Sequence, residues 1–465
     1  MKQGNLRHSL VSGIGIGVAL VSVGAVPKQA SAFQASLDLS QGVSFGDNLS
    51  ARSAPIGDGL VAETDLVLSL TSETRQDSLQ VDLGARYKVG DLPDEGGWVN
   101  EIIDPFAKFS YTRQGPGSSF ALEYATSKIE LQDSVISLLD LETLEVNDLV
   151  IEAGSRSDNR LSTEFTAGAG GALETRLSLR FDDRSFDSTD ASLTDRMLLT
   201  FNGWVRLAAT RNSDLVLSAR MSEENREDAN FTDFRNARFT VGIETDIDPA
   251  TRLVAALGTS HIAVDEGIGT ARTTTDYDSP VGTFGLKREF KNGTAEVKLE
   301  SGHTRAGTRQ TLRVIRSMEL PAGSLSFTVG GVWEEAGQTS ALYGLTYTKT
   351  YKRAALQANL DQVASSNVSG QTFLNTSANV RYVQELSALS QLDLRVAFAD
   401  IRETSGAADG DSRRVSASAS YNYSFTDVWN LSMGLRHKNT SSDGTTTLRS
   451  NELFANVSRS FDLRF

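Results

Sequence analysis

From about residue 35 onward, apolar and polar residues alternate one by one in segments of about ten to thirteen residues. Leu79, Val81, Leu83, Ala85, Tyr87 and Val89 form one apolar face, with Gln80, Asp82, Arg86 and Lys88 between them. Leu173, Leu177, Leu179 and Phe181 form another, against Glu174, Arg176, Ser178 and Arg180. Val415, Ala417, Ala419, Tyr421 and Tyr423 alternate with serines and Asn422. A period of two places successive side chains on opposite faces of a strand. Eleven residues at ~3.3 Å each, tilted near 45°, cover about 25 Å, the height of the apolar band of a transmembrane barrel.

A soluble β-sandwich also alternates, and the connections separate the two architectures. One set is short: 73–77, Gly170-Gly171, Asp248-Pro249-Ala250, Asn292-Gly293, Pro321-Ala322-Gly323 and 425–427. The set between them is longer and polar: 46–61, 90–102, 183–194, 222–234, 402–412 and 439–448. Short periplasmic turns alternating with longer outer loops is the barrel arrangement. The expectation is an all-β chain forming one transmembrane antiparallel β-barrel of about 22 strands (range about 18–22), from 35–46 to 449–465. An even count brings both termini to the periplasmic side. Prolines check this map, because a closed barrel has no edge strand to tolerate them. Pro55 and Pro93 fall in loops and Pro116, Pro249 and Pro321 in turns. Pro105 and Pro280 fall at or before the starts of strands expected at 103–113 and 281–290.

The first 32 residues read differently. Lys2 and Arg7 precede an uncharged apolar stretch from Leu10 to Val26, interrupted by Gly13, Gly15, Gly17 and Gly24. That stretch suits a signal-peptide core, and Ala30-Ser31-Ala32 supplies the small residues of a cleavage site. Residues 1–32 are therefore expected to be removed, leaving 33–465 as the barrel of an outer-membrane protein; an uncleaved N-terminal anchor is the alternative. The glycines belong to this segment and form no phosphate loop. Net charge is −14 for the whole chain and becomes more acidic once Lys2, Arg7 and Lys28 are lost. That balance argues against a nucleic-acid partner. The chain contains no cysteine, so no disulfide, thiolate metal site or cysteine nucleophile is available.

In the last strand Leu453, Ala455, Val457, Phe461, Leu463 and Phe465 share one face, and the sequence ends at Phe465. Phe461, Leu463 and Phe465 resemble the C-terminal signal by which the barrel-assembly machinery selects Gram-negative outer-membrane proteins. Ser36 to Asn48 (SLDLSQGVSFGDN) and Ser458 to Phe465 (SRSFDLRF) resemble uncharacterised proteobacterial barrels, including those linked to exopolysaccharide or PEP-CTERM gene clusters. That resemblance implies an outer-membrane location and little chemistry.

Arg316-Ser317-Met318-Glu319-Leu320 echoes Arg459-Ser460-Phe461-Asp462-Leu463, as expected from hairpin duplication. Parity sets Arg288, Arg316, Lys349 and Arg459 in phase with apolar neighbours. A lipid-facing cation costs about 2–4 kcal/mol at the bilayer midplane and almost nothing near an interface. They are therefore expected at the periplasmic end, stems along lipid and heads at phosphate; a local bulge turning them inward is the alternative. The expected partners in the membrane are lipid and lipopolysaccharide.

Candidate chemistry is sparse. His261, His303 and His437 fall near outer strand ends with Ser260 and Ser301 close by, but parity turns the imidazoles outward, toward lipopolysaccharide head groups and away from an acyl-transfer site. No segment has metal-loop spacing, and no cofactor or enzymatic activity is expected. Arg176, Arg180, Glu296, Lys298, Glu300, Arg309 and Arg313 fall on the inward parity, as in a hydrated lumen. Segment 128–159, the third outer loop, interleaves carboxylates, Asp140, Glu142 and Glu145 among them, with ten aliphatics from Ile129 to Leu149. Something must bury those aliphatics. An inward-folded constriction, positioned as in general porins, and a surface docking segment are the two readings.

The combined expectation is a porin-like channel or transporter for a hydrophilic solute. The outer-membrane part of a polysaccharide export or assembly system is the second reading, and a barrel enzyme the third. Barrels this wide are commonly plugged, and with the first strand starting just after Phe33 no plug domain is expected ahead of it.

Overall fold

A computed structural model describes residues 33–50, 57–130, 154–188, 194–227, 231–267, 272–335, 337–366, 371–404, 411–442 and 447–464. The strands are β1 (Phe33–Asp47), β2 (Asp58–Glu73), β3 (Asp77–Leu92), β4 (Gly97–Gly115), β5 (Ser118–Glu130), β6 (Gly154–Ala167), β7 (Leu173–Ser188) and β8 (Arg196–Ala208). They continue as β9 (Ser213–Arg226), β10 (Asp233–Asp248), β11 (Thr251–Glu266), β12 (Thr273–Phe290), β13 (Gly293–Thr304), β14 (Gly307–Leu320) and β15 (Gly323–Glu334). The last are β16 (Thr339–Thr350), β17 (Ala354–Ser366), β18 (Thr372–Ser387), β19 (Ser390–Glu403), β20 (Ser412–Ser424), β21 (Trp429–Ser442) and β22 (Leu448–Arg464). Among the described residues the only helical element is a short 3-10 turn at Pro93–Glu95.

Each strand pairs antiparallel with its neighbours in sequence, and β1 pairs with β22 from Gln34↔Arg464 to Asp47↔Asn451. The wall is a closed barrel of 22 strands, so the sheet has no edge strand. Its outer face is apolar. Phe45, Leu83, Leu177, Phe239, Val329 and Leu435 are all exposed, and Leu257 is 77% exposed. A water-facing wall would not carry such a continuous belt, whereas a lipid-facing wall requires it.

Strand cores lie where alternation places them, but several strands run further outward. β3 and β4 meet across Leu92↔Gly97, so most of the loop expected at 90–102 is hairpin. β7 and β9 likewise extend into the loops expected at 183–194 and 222–234. Above the apolar band both faces meet water, so the ladder continues without a hydrophobic period to reveal it.

Two prolines expected at strand starts sit inside strands. Pro105 lies in β4 at a register shift, where Gly84↔Phe106 is followed by Arg86↔Ile103. That bulge needs no donor from Pro105, and Asp104 beside it takes φ 50°. Pro280 lies in β12 opposite Thr259 of β11, while pairing with β13 begins only at Gly282. Among the described residues no strand pairs with the outer part of β12 on that side, a half-paired stretch in which a proline is tolerated.

Candidate functional site

The side chains that alternate with the apolar belt line the lumen, and register sets many of their charges in pairs. From β6 to β11 the inner face is dense in arginine held by carboxylates on the same or the next strand. Arg160 and Arg180 both reach Asp182, at 2.6 and 2.5 Å. Arg176 and Arg206 both reach Glu174, at 2.7 and 2.8 Å. Arg156 and Arg184 share Asp158, and Arg226 holds Glu224 at 2.7 Å. Glu174 accepts from both Nε and Nη2 of Arg176, and Asp182 from both of Arg180, a fork geometry that holds these side chains in place. The indole of Trp204 also points inward, with the Arg176 guanidinium 5.1 Å from its ring centre. Elsewhere β16 and β20 present short neutral groups such as Thr346, Thr348, Ser416, Ser418, Ser420 and Asn422, while on β18 and β19 between them Arg381 and Arg395 both reach Asp393, at 2.7 and 2.8 Å.

At the outer mouth Arg309 of β14 reaches across two strands. It donates to Glu334 of β15 and to the Ala364 and Ser365 carbonyls of β17 at 3.3 and 3.1 Å. Thr372 of β18 donates to the same Glu334 at 2.8 Å. In the adjoining turn, Glu335 accepts the Thr308 backbone N–H at 2.8 Å, which holds its carboxyl below the usual range.

No protein-family model matches the chain, and no curated protein matches its sequence. Solved structures do match. The open form of the ferric-catecholate import receptor Fiu from E. coli K12 superposes with a TM-score of 0.58 at 8% identity, over 94% of this chain and 82% of that one. The ferric enterobactin receptor PfeA from Pseudomonas aeruginosa, a Q482A mutant with enterobactin bound, gives 0.54 at 12% identity, over 93% and 82%. The chain has the fold of these siderophore-receptor barrels. At such identities the likeness concerns architecture and transfers no binding residue.

Within this barrel the residues singled out in the sequence fall as follows. Arg176 and Arg180 line the wall just described. Lys298 meets Glu300 at 2.8 Å, and Arg313 lies 3.9 Å from Glu300 on the next strand. Glu296 shares their inner face, opposite Ile315. Arg309 is the exception: it knits the mouth and does not line open lumen.

Arg288, Arg316, Lys349 and Arg459 lie on the outer face near the short turns, each against a local partner. Arg316 stacks on Phe290 at 4.6 Å and donates to Asn292 at 2.9 Å. Arg288 shares Phe290 at 5.7 Å, and Lys349 donates to the Pro321 carbonyl at 2.8 Å. Arg459 packs over Phe461 and Trp429 at 4.3 and 5.1 Å. Aromatic faces give each guanidinium an electrostatic partner that lipid cannot.

Phe461 and Leu463 stand opposite Leu37 and Ala35 at the closing seam. Phe465 and the loop residues Asp140, Glu142 and Glu145 lie outside the described residues. Of the histidines, His261 bonds Asp278 at 2.9 Å and His437 bonds Asn451 at 2.7 Å, both exposed. His303 is half-buried with its ring nitrogens shielded from solvent, and neither has a hydrogen-bond partner among the described residues.

Sequence reasoning missed Trp204, Arg206, Arg220 and Arg238 as members of one wall. Their inward parity is readable, but which residues stand side by side depends on register between strands.

Proposed function

We propose that this protein is an outer-membrane transport barrel that passes a hydrophilic solute through its charged lumen. The observation that carries the reading is the division of one closed wall into a lipid-facing apolar belt and an inner face of paired charges and hydroxyls. Such a lining favours water and polar solutes over an empty core. That the superposing receptors include an import receptor supports transport over scaffolding.

In this reading residues 1–32 are a signal peptide removed after Ala32, and the short turns at Asn292 and Ala322 face the periplasm. Phe461, Leu463 and Phe465 engage the barrel-assembly machinery, while His261 and His437 meet lipopolysaccharide head groups. Of the segment expected at 128–159, the ends pair as β5 and β6; in this reading the part between them narrows the pore, and its carboxylates favour cations there.

Single-channel recording of the folded protein tests this. Deleting 130–150 is expected to raise conductance and weaken cation preference. Replacing Asp140, Glu142 and Glu145 by Asn or Gln should change mainly the preference, an effect blunted at 1 M salt, where the Debye length is ~3 Å. Absence of channel activity from both the intact and the deleted protein sinks the transport reading. A polysaccharide-export component then takes its place.

A further inference from the structure

Near mid-height in the lumen, Arg220 of β9 stands directly opposite Arg238 of β10. Both belong to one cross-strand row with Asn202 of β8 and Ser260 of β11. Their polar neighbours are mutually satisfied. Asn202 donates to Ser178 at 3.1 Å, Ser218 and Thr240 bond each other at 2.5 Å, and Ser260 donates to Asn236 at 3.1 Å. Nearby inward carboxylates are committed as well: Glu224 to Arg226 at 2.7 Å, Glu244 to Arg252 at 2.6 Å, and Asp214 to Arg206 at 3.5 Å. Among the described charged residues of these two inner faces, Arg220 and Arg238 alone have neither hydrogen bond nor ion pair.

Like charges directly opposite on an antiparallel pair repel. Every other inward arginine of β6 to β10 for which a partner is described sits on a carboxylate, so the bare pair stands out on this wall. In front of it is a recess of about 360 Å³, lined by both arginines, Asn202, Trp204, Thr240 and Glu244. That volume holds a small organic solute. Each guanidinium carries a planar fork of N–H donors suited to an oxyanion, and both line the one recess. An anion between them turns the repulsion into two charge-assisted contacts.

We propose that Arg220 and Arg238 form a binding site for the oxyanion group, carboxylate or phosphate, of a solute moving through the lumen, with Trp204 walling the recess. This rests on the transport reading for its purpose, though not for its chemistry.

The test is equilibrium binding to the folded full-length barrel in detergent, read by tryptophan fluorescence, with inorganic phosphate, glucuronate and neutral glucose as probes. Saturable quenching by phosphate, glucuronate or both, with none by glucose, is expected, and which anion binds identifies the group. Trp204→Phe should remove most of the signal. Arg220→Gln or Arg238→Gln should weaken binding at least tenfold, and the double variant should abolish it. Without ligand, each single variant should melt at the same temperature as the parent or higher, since repulsion is relieved. A double variant that binds like the parent, a parent that binds neither anion, or single variants that melt clearly lower would each overturn the site. Conductance measured on the same preparation keeps the two readings apart. Conduction without binding removes the site and leaves transport, whereas binding without conduction does the reverse.

Discussion

Lys88 is 5% exposed, and its ammonium lies 3.4, 3.7 and 4.0 Å from Glu130, Glu101 and Glu95. A cation enclosed by three carboxylates holds them at a separation they would not otherwise accept. Lys88→Met should therefore destabilise the barrel. Removing one partner of a fully buried pair costs about 3–5 kcal/mol, and Glu101 is 43% exposed, so about 2 kcal/mol is expected here. Urea unfolding of the folded barrel measures it, and an unchanged midpoint would show that solvent already screens the three acids. The sequence shows Lys88 pointing inward, but its three acids come from the 3-10 turn, β4 and β5. Parity gave the direction of the side chain and could not give its company.

Among the elements, the short hairpins were the most readable part of the chain, because turn chemistry is local. Between β14 and β15, Ala322 takes φ 63°, a left-handed conformation that suits glycine. Ala322→Gly should stabilise the protein by up to about 1 kcal/mol, the relief of strain being partly offset by glycine's greater loss of backbone freedom. Gly293, at φ 130°, is the opposite case: a Cβ there would sit 2.1 Å from the Ser317 carbonyl oxygen. Gly293→Ala should cost more than Ala322→Gly gains, and unfolding midpoints of the two variants rank them. Strand ends on the outer side were less readable. β12 was expected at 281–290 and runs Thr273–Phe290, because a ladder with water on both faces leaves no apolar period.

For the whole molecule, the proposed orientation makes a topological prediction. Tags inserted at Pro55, Asp228 or Asp443, between strands on the outer side, should be reached by antibody on intact cells, and tags at Asn292 or Ala322 should not. Labelling at Asn292 on sealed cells would invert the barrel and with it the placing of the basic residues near Phe290 and Trp429. The sequence by itself determined that the chain alternates, how many times it turns, and which side chains face lipid or lumen, because these follow from a period of two and from local turn chemistry. Only the tertiary structure decided that β1 closes on β22, that Arg309 knits the mouth, and that Arg220 meets Arg238. Those depend on the register of one strand against the next and on closure of the sheet. Contacts between residues tens to hundreds of positions apart leave no trace in a local pattern.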